Sequence, residues 1–215
     1  SVAYLLIAVA VAAALVAVGA PEDLVIILGA TLPWIGLAGW PIVATTRRGN
    51  GPRIDLGLRL TWPDVGWATL GAAVGLFAAG IAALVTLIFV PDLSSSAGQA
   101  AEDLVNSSGR ASILTFALIV LVGGPVVEEL FFRGLLFGAI RKRGVNAVWT
   151  IILTAVIFAA FHLEPTRFFV LLPTGLVLGW VRWKTGSTGA SMVAHGLINA
   201  PGALVLLFGV PSLPS

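Results

Sequence analysis

Apolar residues run along this chain in long blocks, and polar residues collect between them. The blocks fall at 2–19, 24–44, 67–90, 111–140, 148–163, 167–183 and 188–209. A helix rising about 1.5 Å per residue needs roughly 20 apolar residues to cross about 30 Å of hydrocarbon. The pattern therefore predicts an all-α fold class, a polytopic transmembrane helix bundle of about seven to eight helices. The fourth block is too long for one straight crossing, and Gly123-Gly124-Pro125 lies inside it. A kink or a break is expected there, and a break would add the eighth crossing. The first block lacks a basic leading region and reads as a spanning helix rather than a signal peptide. No repeat or low-complexity linker divides the chain, so 1–215 reads as a single transmembrane domain.

Two connections have character of their own. Residues 53–67 mix charge with Leu and Trp and are expected along the inner membrane interface. Residues 91–110 are polar and expected outside. The small-residue pairs Gly71/Gly75, Gly134/Gly138 and Gly175/Gly179 suit close helix packing.

Composition sharpens this picture. The apolar set makes up 58% of the chain and charged residues only 10%, where about a quarter is usual for a soluble domain. No soluble core of this size hides so much apolar surface. The lipid bilayer is thus the first partner. A formal charge of +2 gives no electrostatic footprint for nucleic acid. With no cysteine, disulfides, thiol nucleophiles and thiolate metal sites are excluded.

Charge distribution sets the expected orientation. Nine basic residues (Arg47, Arg48, Arg53, Arg59, Arg141, Lys142, Arg143, Arg182 and Lys184) fall on one set of alternate connections, and only Arg110 and Arg167 on the other. The positive-inside rule places the richer set, and the N-terminus, in the cytoplasm. Six tryptophans, at positions 40, 62, 67, 149, 180 and 183, lie near the same ends, as an interfacial belt would. The Ala-, Val-, Gly- and Arg-rich composition suggests a bacterial cell membrane.

An ionisable side chain at the bilayer centre costs about 2.5–3.5 kcal/mol or more, so each one needs a reason. They are few. The fourth block carries Glu128, Glu129 and Arg133, the fifth ends with His162, and the seventh carries His195 and Asn199. Glu129 and Arg133, Phe158 and His162, and His195 and Asn199 are each four residues apart, so each pair shares a helix face. Counting from the basic ends puts Glu128 and His162 both about 20 Å into the membrane. One polar cavity lined by three helices is compatible with these depths.

Two chemistries fit the set. A carboxylate and an imidazole sharing a water make a general base, and a second imidazole with an amide would stabilise an oxyanion. Alternatively, Glu128, His162 and His195 would suffice as the protein shell of a catalytic Zn2+, lowering the pKa of a bound water to about 7. Sequence leaves both open. Glu129–Arg133 reads equally well as a buried structural pair, and Phe158 reads as packing.

These residues carry a resemblance. Glu128-Glu129-Leu130-Phe131-Phe132-Arg133 is similar to the EExxxR motif of the CPBP family of CAAX prenyl proteases and bacteriocin-processing proteins (the ABI family). Phe158 to His162 matches its FxxxH motif and His195 to Asn199 its HxxxN motif. The resemblance covers about 111–200, and the earlier spans are only generically similar.

The resemblance implies an intramembrane endopeptidase of glutamate or metallo type, with a cavity open to the cytoplasm. Glu128 would activate water beside His162, and His195 with Asn199 would bind the oxyanion or orient the water. Glu129 and Arg133 would support the site. A bacterial member would cut a leader or membrane peptide in place of a prenylated protein. The rival class is a membrane scaffold or bacteriocin-immunity protein that binds a peptide without cutting it. A third is a transporter relaying protons through Glu128, Glu129 and the histidines. There is no HExxH or GxGD motif, and Gly186-Ser187-Thr188-Gly189 has its serine one place early for a rhomboid-like enzyme.

Overall fold

The computed structural model describes residues 2–209, with side chains from residue 6 onward. Every predicted block is a helix, and among the described residues there is no strand. In chain order these are α1 (Val2–Ala17), α2 (Glu22–Arg48, bent at Leu32-Pro33), α3 (Trp62–Phe89), α4 (Ser96–Ser107), α5 (Arg110–Lys142), α6 (Ala147–Phe161), α7 (Phe168–Thr185) and α8 (Thr188–Phe208). Four of them, α2, α3, α5 and α8, are long and apolar enough to cross a membrane by length and composition. The chain is a multi-pass membrane helix bundle.

The helix starts follow from local chemistry. The Thr61 hydroxyl accepts from the Asp64 amide while the Asp64 carboxylate accepts from the Thr61 amide, a reciprocal cap that opens α3 five residues earlier than predicted. Asn146 caps α6 through the Trp149 amide, and Ser187 caps α8 through the Ala190 amide. The polar connection 91–110 contains an unpredicted helix, α4, whose Leu104 is fully buried. The Glu164 carboxylate accepts from both the amide and the hydroxyl of Ser96, pinning α4 to the turn that precedes α7.

α3, α7 and α8 pack through small side chains, with Ala68, Leu178, Val181, Ala190 and Ala194 at their centre. A methyl group at Gly71 would strike Val181, and one at Gly175 would lie 3.1 Å from the Ala155 methyl. Such close approach is what lets helices associate without a hydrophobic driving force between them.

Two expectations need correction. The segment after α2 does not simply lie along the interface. Its Leu56 is fully buried against Gly134, the Thr188 hydroxyl donates to the Leu56 carbonyl, and the Thr188 amide donates to the Gly57 carbonyl at 2.9 Å. Asp55 pairs with Lys142 at 2.9 Å. Main-chain polar groups of the segment find partners in the bundle, so it wedges into the end of the helices. The break expected at Gly123-Gly124-Pro125 is also absent. α5 runs unbroken for 33 residues, about 50 Å, and absorbs the proline by widening.

Candidate functional site

The site is built on that widening. Residues Ile119–Gly123 are π-helical, with the Gly124 amide donating to the Ile119 carbonyl five residues back. In the same register the next donor is residue 125, a proline without an N–H. The Val120 carbonyl is thereby released, and Asn199 Nδ2 donates to it at 3.0 Å. One residue on, the Leu121 carbonyl lies against Gly196, where a methyl group would approach to 2.8 Å. A second π segment, Leu130–Leu136, follows, and the Arg133 carbonyl accepts from Arg182 Nε at 3.0 Å. Glu128 and Glu129 sit on the single α-helical stretch between these wide segments, Gly124–Glu129. Such π segments are rare and recur at functional sites.

The two neighbouring glutamates have opposite surroundings. Glu129 is fully buried, and its Oε1 accepts from Arg133 Nη1 at 2.8 Å and from His195 Nδ1 at 3.0 Å. Arg133, also fully buried, donates from Nη2 to the Gly175 carbonyl at 3.0 Å and lies 4.6 Å from the centre of the Phe158 ring. Glu129 thus joins α5 to α8 through His195, and Arg133 joins α5 to α7. The shared helix face of Glu129 and Arg133 is evident from their spacing. The contact with His195, 66 residues away in sequence, is not.

Glu128 faces another way. It is half-buried, and its Oε2 is enclosed without a hydrogen-bond partner among the described residues. His162, half-buried, is the last turn of α6, where Leu163 adopts a left-handed φ of 55° and turns the chain back. His162 Nδ1 lies 2.9 Å from the Phe158 carbonyl. A carbonyl only accepts, so Nδ1 carries the proton and Nε2 holds the lone pair of the neutral ring. The same logic applied to His195, whose Nδ1 donates to a carboxylate, leaves its Nε2 as the nitrogen available for chemistry.

Phe158 stands among them with 1% of its surface exposed. Its ring meets His162 edge-on at 4.8 Å, His195 at 5.7 Å and Phe132 at 5.3 Å. It separates the two imidazoles and fixes their planes. The sequence marks Phe158 as a packing and supporting residue by its i, i+4 spacing to His162, whereas its contacts with His195 and Phe132 are visible only in the structure. Arg182 had no signal beyond its position near a helix end.

Among the described residues no three His, Asp or Glu side chains are grouped so as to hold an ion. Glu128, His162 and His195, the predicted zinc shell, do not converge. The two histidine Nδ1 atoms are held by separate partners, one in α6 and one in α5, which leaves both Nε2 atoms without a protein hydrogen bond among the described residues. No step below is routed through a metal.

Comparison with known proteins places the motif-bearing region. Residues 110–201 match the family described as type II CAAX prenyl endopeptidase Rce1-like, a stretch that runs from the start of α5 into α8 and contains every residue above. The chain is 24% identical over 151 residues to "Putative membrane peptidase YdiL" of Bacillus subtilis, covering 70% of this chain and 57% of that protein. It is 29% identical over 97 residues to the UPF0177 protein YbdJ of Lactococcus lactis, covering 45% and 42% respectively. The chain therefore spans about half the length of the curated relatives it matches. No solved structure matches it. The stretch that carries the three motifs is the stretch that matches the Rce1-like family.

Proposed function

From a motif-bearing region of CAAX-protease type, we propose that this protein is an intramembrane endopeptidase that hydrolyses a peptide bond of a membrane-associated substrate. The observation that carries the reading is the contrast between adjacent carboxylates. Glu129 spends its Oε1 on both Arg133 and His195, its Oε2 being enclosed without a partner, while Glu128 makes no hydrogen bond among the described residues and its Oε2 is enclosed as well. An unpaired carboxylate oxygen away from bulk water costs stability, and a water that it activates accounts for its retention.

In this reading Glu128 takes the proton of a water that His162 Nε2 helps to orient. The resulting hydroxide adds to the scissile carbonyl carbon, and negative charge moves to the carbonyl oxygen. His195, protonated with its Nδ1–H held by Glu129, donates from Nε2 to that oxygen. The second hydrogen of the Asn199 amide is the other donor. Collapse of the intermediate expels the amine, which recovers the proton from Glu128. Arg133 pairs with Glu129, and Glu129 in turn keeps His195 oriented. With the basic loops on the cytoplasmic side, the substrate is a membrane or leader peptide rather than a soluble protein.

The test compares the N- and C-termini of membrane proteins in cells carrying wild type or Glu128→Gln. New termini present only with wild type are the expected result, and they name the substrate. If no difference appears while both proteins are folded and abundant, the peptide-binding scaffold replaces the enzyme.

A further inference from the structure

Two arginines at the basic end of the bundle have no carboxylate partner among the described residues. Among the described residues the carboxylate pairings are Glu129 with Arg133 and His195, Asp55 with Lys142, and Glu164 with Arg167. Arg59 and Arg182 have none. The two acidic residues of the same end are already committed. Asp55 holds Lys142 and the Asn50 amide, and Asp64, only 5% exposed, holds the Thr61 amide.

Both guanidinium groups flank one glycine–glycine contact. Gly57 and Gly186 take left-handed φ values of 65° and 67°. A methyl group at Gly57 would lie 2.8 Å from Arg182 Nη2 and 3.1 Å from the Gly186 carbonyl, and one at Gly186 would lie 3.4 Å from Arg59 Nη2. Each arginine is fixed by a main-chain carbonyl, Arg182 through Nε to Arg133 and Arg59 through Nη2 to Thr185. Arg182 also lies over the Phe137 ring at 5.4 Å. Its Nη1 and Nη2 make no hydrogen bond among the described residues and are not sealed from solvent. Two like charges are thus held together with donors to spare.

We propose that Arg59 and Arg182 form a phosphate-binding site that takes the headgroup of an anionic lipid. A phosphate between them turns repulsion into attraction, and its oxygens match the planar donor forks of two guanidiniums. The level in the membrane fits a headgroup. Trp62 and Trp183, 88% and 51% exposed, sit at the same helix ends, as interfacial tryptophans do. Lys184, its ammonium 4.8 Å from the Trp67 ring centre, is a third cation at the same end of α7. The site is independent of the peptidase reading and stands or falls without it.

The test uses the full chain in vesicles of equal phosphatidylglycerol and phosphatidylcholine, with retained lipid read by native mass spectrometry after extraction. Wild type is expected to keep phosphatidylglycerol several-fold over phosphatidylcholine. Arg59→Gln, at an exposed position where folding is not at stake, should bring the ratio close to one. Arg48→Gln, the same charge loss on the exposed end of α2, should keep the preference. Circular dichroism and thermal unfolding in pure phosphatidylcholine check that all three are equally folded. Equal retention of both lipids by wild type, an unchanged preference in Arg59→Gln, or an equal loss in Arg48→Gln would each overturn the proposal. Excess inorganic phosphate separates the sources of the group. Displacement of the lipid by it supports a phosphate site but assigns it to the free anion, and resistance assigns it to the headgroup.

Discussion

α3 and α5 are both long apolar helices of one bundle, yet they are built on different terms. α3 carries a single ionisable residue, Asp64, spent on its own cap, and it runs as a regular α-helix for 28 residues. α5 carries Glu128, Glu129 and Arg133 at mid-length and changes register twice around them. Where a helix bears only packing, regular hydrogen bonding satisfies every main-chain group internally. In α5 each wide segment is matched by a carbonyl that turns to another helix, Val120 to Asn199 and Arg133 to Arg182. The irregular helix is therefore tied to its neighbours by polar bonds, and the regular one by small-residue contact. Irregularity and charge occur together because the charges need neighbours from other helices.

The contrast breaks most sharply at the two glutamates. Glu128→Gln is expected to lower peptide-bond cleavage by about 10²–10⁴-fold, the range associated with loss of a general base. Its thermal unfolding in detergent should stay close to wild type. An undiminished cleavage rate in Glu128→Gln would leave the carboxylate contrast without functional meaning. Arg133→Ala tests the other glutamate. It strands a buried carboxylate, and about 3–5 kcal/mol of stability should be lost, read as a lowered unfolding midpoint or as failure to accumulate. A variant as stable as wild type would show that the Glu129–Arg133 pair does not hold the bundle together.

α3 responds to bulk rather than charge. Gly71→Val drives a branched side chain into Val181, and overpacking of this kind costs about 1–3 kcal/mol. Cleavage per folded molecule should be unchanged, since the site lies on α5, α6 and α8. A smaller effect isolates the proline. Asn199→Ala removes the donor to the Val120 carbonyl and should cost about 1 kcal/mol. Restoring an N–H with Pro125→Ala offers that carbonyl a main-chain partner, so the Asn199→Ala cost should shrink in the double variant. Additive costs would separate the proline from the amide.

The weakest effect lies outside the membrane. Burial opposes ionisation of Glu164, but hydrogen bonds from the hydroxyl and amide of Ser96, together with Arg167, hold its carboxyl below the ordinary range. A depressed folded-state value contributes stability above the unfolded pKa, and that contribution is lost as pH falls through the folded one. Protection of α4 amides against hydrogen exchange, corrected for the intrinsic rate at each pH, should therefore fall at acid pH, and Glu164→Gln should flatten that response.

Much of the fold was legible along the chain because hydropathy and helix length are one-dimensional quantities. The seven apolar blocks, the basic and acidic ends and the polar residues inside the spans needed no coordinates. α4 escaped because its apolar positions are few and its polar content resembles a loop, although its Ser95 cap and buried Leu104 hold it. The wedge of 52–61 escaped because one leucine among charges carries no period.

What the sequence by itself determined is the membrane character, the helices and the short roster of ionisable groups set four residues apart. Tertiary structure decided which of them are free. Successive residues on a helix differ by about 100° in direction, so adjacent Glu128 and Glu129 must face different neighbours. Only the packing of α6, α7 and α8 reveals what each meets. Glu129 meets His195 and Arg133 through one oxygen, whereas Glu128 meets no hydrogen-bond partner among the described residues. The proline shows the same division. Sequence marks the missing N–H, while the approach of α8 determines that Asn199 answers the carbonyl it releases.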